Sequence, residues 1–341
     1  MFDNYEGVRE SFKLFAKELI WFFLADHVPS DVKDIFLYAS RRSGSTLLME
    51  VLACNKGMSY SDQPFGLHTI TPWNLNLLPL AEYSQLIHLD KDEELLVENY
   101  VKGLLGGRIY ANAPWRFWRY GLTIKTNRIV LKITDAKSII EWLDGKFNPY
   151  TVVMTRHPIP QSLSVIRNGW DCTGKAFIRN DFFIKKYLND DRLKFCNNIY
   201  KKGTKLQRHV LDWSLENMIM INKLKENNHW IYVSYERLVS SPDYVVNMLS
   251  KSLQLDDVDA MLDSLNKPSK SSKLKSNIGK TKKLCKQDKI DLLGKWKDKV
   301  SESEERSAMD ILFELGIGLY KFGEFYPSMD SFEQPMVSLE K

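Results

Sequence analysis

Residues 34–48 constrain this chain more than any other stretch. Ile35, Phe36, Leu37, Tyr38 and Ala39 make a short apolar run rich in aromatic and branched side chains, the pattern of a buried strand. The run breaks at Ser40, Arg41, Arg42, Ser43 and Gly44, and a helix-compatible segment runs from Thr46 to Leu52. Strand, polar loop and helix in that order make an anion cradle. Successive N–H groups of a Gly/Ser loop converge on one spot, and the helix dipole sets partial positive charge at its mouth. Arg42 adds a full charge, while Ser43, Ser45 and Thr46 add hydroxyl donors for phosphate or sulfate oxygens. This is not a Walker A loop: Ala39 stands where that motif needs its first glycine, and Ser45 where it needs lysine.

A chain of 341 residues, 44% of them apolar, builds a substantial core as one large α/β domain or two smaller ones. The net charge of +5 and pI near 8.7 suit an anionic cofactor but are too weak to indicate nucleic acid. Cys54, Cys172, Cys196 and Cys285 lie far apart without a C-x-x-C pair, so free thiols are expected, with neither a disulfide framework nor a zinc site. Residues 19–25 are apolar but too short to span a bilayer, and no leader pattern precedes them; a soluble, cytoplasmic protein is expected.

Ahead of the loop, Val8, Phe12, Phe15, Leu19, Phe22 and Phe23 recur at helical spacing, predicting an amphipathic helix over residues 5–26. Its aromatic stripe is expected to dock on the protein's own sheet, because Glu6, Glu10 and Glu18 on the polar side disfavour an anionic membrane. Residues 58–65 read as an extended piece turning at Pro64, and an acidic helical segment surrounds residues 90–98. The Trp/Arg run at 115–120 reads either as a stacking wall for an acceptor or as a helix with buried aromatics. Residues 128–135 and 150–155 are further strands, the first followed by a helix from Ala136, and 229–239 is read as another. Strands alternating with helices argue for a parallel sheet, whose ligands sit beyond the carboxyl ends of the strands.

Arg156 closes one of those strands, and Pro158 starts a helix that turns Ser164 back toward the same end. Guanidinium and hydroxyl together make a charge-assisted phosphate site. The lysine-rich, apolar-poor stretch at 267–283 reads as a loop, and Ser301 with Glu304 reads as the start of a final helix.

The cation placed before the glycine, in Arg42, Ser43, Gly44, Ser45 and Thr46, resembles the R/K-S-G-S/T-T loop of sulfotransferases that use 3′-phosphoadenosine 5′-phosphosulfate (PAPS). Arg156, His157, Pro158 and Ser164 resemble the R-[DNH]-P-x₅-S 3′-phosphate site of that family. Tyr235, Glu236, Leu238 and Pro242 are similar to its Y-E-x-L…P element, and Trp296 with Ser301 to its W-x₄-S ending. The resemblance covers roughly residues 34–320. It implies a P-loop-NTPase-like sulfotransferase fold, α/β with a central parallel sheet flanked by helices and with helical insertions. The expected layout is an N-terminal helical segment (1–33), one domain (34–325) with insertions at 66–122 and 170–215 and the basic loop at 267–283, and a tail (326–341).

The implied reaction moves a sulfuryl group from PAPS to a hydroxyl or amine of a small-molecule or carbohydrate acceptor, with no metal required. Arg41, Arg42, Ser43, Gly44, Ser45, Thr46, Arg156, Ser164, Tyr235 and Lys280 are the implied nucleotide contacts, with Ser276 and Gly279 beside Lys280. Arg42 and Lys132 are the implied catalytic cations. The family's K-T-H element is broken here, because Thr134 holds the histidine position; the proton acceptor is sought at Asp62, then Asp135, then His68. Leu47 replaces an adenine-stacking tryptophan. Two rivals stay open. One is a P-loop kinase using ATP–Mg²⁺, with Asp135 ending a Walker B-like strand; the other is a catalytically silent nucleotide-binding scaffold. The acceptor and the oligomeric state are not specified by these motifs.

Overall fold

The computed structural model describes residues 3–79, 85–114, 124–265, 291 and 293–328. Its elements are α1 (Asp3–Leu24), β1 (Asp26–His27), β2 (Ile35–Ala39), α2 (Ser45–Leu52), β3 (Met58–Asp62), α3 (Pro72–Leu75) and α4 (Lys91–Leu105). There follow β4 (Lys125–Thr126), β5 (Arg128–Ile133), α5 (Ile140–Phe147), β6 (Tyr150–Thr155), α6 (Pro158–Arg167), α7 (Asp181–Tyr187), α8 (Asp190–Lys202) and α9 (Lys205–Leu224). The last are β7 (Ile231–Ser234), α10 (Tyr235–Ser240), α11 (Pro242–Leu253), α12 (Val258–Leu265) and α13 (Glu302–Glu314). The fold is α/β, a central parallel sheet flanked by helices. The chain divides into two compact units: Met1–Ala39 with Gly44–Thr151 and Asp243–Lys280, and Ser40–Ser43 with Val152–Pro242 and Thr281–Lys341.

In the first unit β3, β5 and β2 are parallel and adjacent in that order, with Asp62 opposite Lys132 and Tyr38 opposite Ile133. Every residue of β2 and β5 is buried, which is why both are nearly continuous apolar runs rather than alternating ones. Two cations interrupt β5, and each has partners. Arg128 donates to the carbonyls of Lys33, Leu253 and Gln254, tying both ends of the unit's sequence to one strand. Lys132 belongs to the site described below. The acidic helix α4 starts at Asp90, whose side chain accepts from the N–H groups of Asp92 and Glu93 in a capping box.

Helix α1 overturns the expected docking. Its aromatic stripe of Phe12, Phe15, Leu19, Phe22 and Phe23 is exposed, and Lys17, Glu18 and Trp21 are buried instead. The cause is a set of specific polar partners, Asn112 for Lys17 and Thr71 with Asn74 for Glu18, which composition alone does not reveal.

In the second unit β6 and β7 are parallel, in register from Val152 opposite Ile231 to Thr155 opposite Ser234. Helix α9, entered through a Thr204/Gln207 capping box, is buried along most of its length and packs on α6 and α13. The strand expected over 229–239 stops at Ser234, because the Ser234 hydroxyl accepts the Arg237 N–H and caps α10. The final helix starts as expected, with Ser301 and Glu304 capping each other. The basic loop at 267–283, including Ser276, Gly279 and Lys280, and the run at 115–120 lie outside the described residues. Among the described residues Cys54, Cys172 and Cys196 form no disulfide with one another, and no helix is long and apolar enough to cross a membrane.

Candidate functional site

The loop after β2 begins with Ser40, whose hydroxyl donates to Asn217 Oδ1 (2.7 Å), and turns as the Ser43 N–H meets the Ser40 carbonyl (3.2 Å). The turn puts Arg42 at φ +65°, in the left-handed region. Contacts on both ends of the residue hold it there: its Nε donates to Ser164 Oγ (3.0 Å), and Arg156 Nη1 donates to its carbonyl (3.2 Å). Pro158 stands in the first turn of α6 and His157 caps it, accepting the Ile159 N–H, so the ten-residue helix returns Ser164 to the neighbourhood of Arg156 as its spacing predicts. The Arg156 guanidinium lies 4.3 Å from the centre of the Tyr235 ring. Arg42, Ser43, Arg156, Ser164 and Tyr235 therefore gather in one unit.

Neither Arg42 nor Arg156 forms an ion pair among the described residues. Burial, and then the like charges of Arg156 and Arg167, pull the Arg42 guanidinium below its ordinary value. Ser43 Oγ and Arg156 Nε are buried and have no hydrogen-bond partner among the described residues. Buried donors beside converging cations fit an anion with several oxygens, such as a phosphate.

Two supporting networks hold these residues. Behind Arg156, the Glu236 carboxylate accepts the His157 N–H (2.8 Å) and the Tyr320 hydroxyl (3.0 Å), while Thr155 bonds Tyr232 (2.7 Å). Burial pushes the Glu236 carboxyl up, against the His157 N–H and the Arg156 charge. Beside the loop, Arg41 donates to the Asp171 carbonyl (2.8 Å) and Thr173 Oγ1 (3.1 Å), and Gln161 donates to the Arg41 carbonyl (2.9 Å). Trp170 lies 5.8 and 5.9 Å from the Arg41 and Arg42 guanidinium carbons. No sequence motif marks Trp170; only its place after α6, where Gly169 turns the chain at φ +69°, points to it.

Cys172, His209 and Asp212 also gather here. The Cys172 sulfur is equidistant from the two His209 nitrogens, at 3.9 and 4.0 Å, rather than aligned with either. Asp212 accepts from the Thr173 and Gly174 N–H groups and from Tyr200, so the group anchors the turn that carries Arg41's partners. Burial, then the Asp212 charge, pushes the Cys172 thiol up to about 12.

In the other unit the loop continues at Gly44, φ +94°, which supplies no side-chain cap to α2. Lys132 joins two sequence candidates there: its ammonium donates to Thr46 Oγ1 (3.2 Å) and forms an ion pair with the Asp62 carboxylate. Asp62 is fixed by its backbone, which exchanges hydrogen bonds with Asn112, and the next residue, Gln63, turns at φ +60° to donate to the Lys132 carbonyl (2.9 Å). The pairing follows from strand register, since Asp62 and Lys132 are direct neighbours across β3 and β5. Asp135 is engaged otherwise, accepting from Thr134 Oγ1 (2.5 Å), and His68 is exposed.

No protein-family model and no curated protein matches this chain. Solved structures similar to it include a mouse sulfotransferase, SULT7A1, complexed with PAP, at 13% identity over 84% of this chain and 85% of that one, TM-score 0.38. Another is a sulfotransferase domain from the curacin biosynthetic pathway, at 17% identity over 70% and 78%, TM-score 0.39. A third is retinol dehydratase in complex with androsterone and the inactive cofactor PAP, at 14% identity over 88% and 76%, TM-score 0.27. These likenesses are distant, and the residues above carry the functional reading.

Proposed function

We propose that this chain is a sulfotransferase that moves a sulfuryl group from PAPS to a hydroxyl or amine of a small-molecule or carbohydrate acceptor. The observation that carries the reading is the cluster of Arg42 and Arg156 with Ser164, with no ion pair among the described residues, together with the orphaned buried Ser43 Oγ and Arg156 Nε. Bound PAPS supplies the sulfuryl group and leaves as the 3′,5′-bisphosphate. Arg156 and Ser164 bind the 3′-phosphate, which places binding energy away from the reacting bond. Tyr235 supports the Arg156 guanidinium from its ring face. Arg42 stabilises negative charge as it grows on the departing 5′-phosphate. Asp62 accepts the acceptor's proton, and Lys132 orients its carboxylate while sharing Thr46. Asp62 is favoured among the three candidates because Lys132, which also reaches Thr46 of the loop, holds its carboxylate in place.

The kinase reading is weakened by the same lysine. A fixed ammonium occupies the Thr46 hydroxyl, where a P-loop kinase holds Mg²⁺. The test is transfer from labelled PAPS to panels of alcohols, sugars and amines, with and without EDTA, beside transfer from γ-labelled ATP with Mg²⁺. Expected is chelator-insensitive sulfation that Arg42→Ala abolishes. Phosphoryl transfer from ATP alone overturns the reading in favour of the kinase, and PAP binding without turnover on any acceptor favours the silent scaffold.

A further inference from the structure

Helix α1 is docked inside out. Lys17 donates to Asn112 Oδ1 (2.6 Å), Glu18 accepts from Thr71 Oγ1 (2.5 Å) and Asn74 Nδ2 (3.1 Å), and the Trp21 indole donates to the Pro114 carbonyl. These anchors stand at positions i, i+1 and i+4, on one face. The opposite face is left uncovered: Phe12 is 68% exposed, Phe22 62% and Phe23 74%, with Phe15 and Leu19 exposed between them.

The spacing on that face is specific. Phe12, Phe15, Leu19 and Phe22 follow at intervals of three, four and three residues, the a/d repeat that a facing helix fills. Trp73, edge-on to Phe15 with ring centres 5.0 Å apart, and Leu77 widen the patch. Lys13 is the one exposed charged side chain among the described residues from Phe12 to Leu24. Taking about 200 Å² for an aromatic side chain, the uncovered apolar area is roughly 700 Å². That exceeds what an ordinary monomer leaves open and approaches the about 800 Å² per partner in a stable interface.

We propose that a second copy of this chain covers the seam, so that two copies pair through α1 in an isologous two-fold contact. The same patch meets itself, as two-fold symmetry requires. A lipid surface fits less well. An interfacial helix turns a basic polar face toward headgroups, whereas here Lys17 and Glu18 are spent on the protein's own body.

Sedimentation equilibrium of the full chain tests this, on wild type, Phe12→Glu and Phe22→Glu, with melting curves to confirm folding and flotation on anionic and neutral phosphatidylcholine vesicles. Both phenylalanines are exposed, so the substitutions leave the fold intact. Expected is a wild-type mass twice the 39.8 kDa of one chain, with association weakened at least about tenfold in each variant. Leu19→Lys, on the same seam, is expected to act alike. A wild type that stays monomeric, a dimer that survives all three substitutions, or vesicle binding by a monomer that these substitutions abolish overturns the proposal.

Discussion

Arg42 holds a left-handed backbone conformation that costs a side-chain-bearing residue about 1–2 kcal/mol, and Arg156 and Ser164 keep it there. Removing the Arg156 guanidinium deletes a charge-assisted donor, so Arg156→Ala is expected to weaken PAP binding about tenfold to a hundredfold, measured by calorimetry. The arginine, glycine and hydroxyl pattern makes this cluster legible in the sequence, because an anion cradle needs those residue types close together in the chain. Lys132 and Asp62 are different. Each is visible alone, but their pairing depends on how β3 registers against β5, which is a tertiary fact. Asp62→Asn leaves the Lys132 ammonium, whose side chain is 2% exposed, without its counter-charge, at a cost of about 3 kcal/mol in a denaturant melt. In the proposed role of base, Asp62 is also expected to carry about 10²–10⁴ in kcat while its substitution spares PAP affinity. His157 supplies the pH prediction. Burial lowers its imidazole from the ordinary 6.5 to about 3, so below pH 6.5 the unfolded chain binds the proton that the folded chain refuses. Stability from this group is present above that pH and is lost as pH falls toward 3, by about 1.4 kcal/mol per unit. His157→Gln removes that slope. Its stability deficit relative to wild type is therefore expected to shrink as urea midpoints are measured from pH 6.5 down to 4.

Among the elements, α2 depends most on one residue. Gly44 at φ +94° lets the chain turn into the helix without a side chain, leaving the first amides uncapped from within. Gly44→Ala is expected to cost about 1–2 kcal/mol and to weaken PAP binding as well, whereas a purely structural defect moves the melt alone. Strands β2 and β5 are legible because burial on both faces writes itself as an unbroken apolar run. Helix α10 is not, since the run through Tyr232 and Val233 favours a strand and only the Ser234 cap ends it. Helix α1 shows the limit of periodicity: the pattern identifies an apolar face but not which face docks. Four polar partners, Thr71, Asn74, Asn112 and the Pro114 carbonyl, decide that, and they lie about 50 to 100 residues away in the chain.

At the scale of the whole molecule, an α/β layout with parallel strands follows from the alternation of strands and helices, and the positive net charge suits an anionic ligand. The division into two units does not follow, because it depends on which distant segments pack together. The acceptor is not legible either, since aromatic side chains around a site serve an alcohol, a sugar or a phenol equally well. A ligand that binds only the native chain raises its melting temperature in proportion to RT ln(1 + [L]/Kd). The central claim, that the arginine cluster is a nucleotide bisphosphate site, is therefore tested most directly by thermal titration with PAP beside ATP–Mg²⁺, on wild type and on Arg156→Ala. Stabilisation by PAP in wild type, absent with ATP–Mg²⁺ and lost in the variant, is the expected result. No shift with PAP, or a shift that Arg156→Ala leaves unchanged, contradicts it.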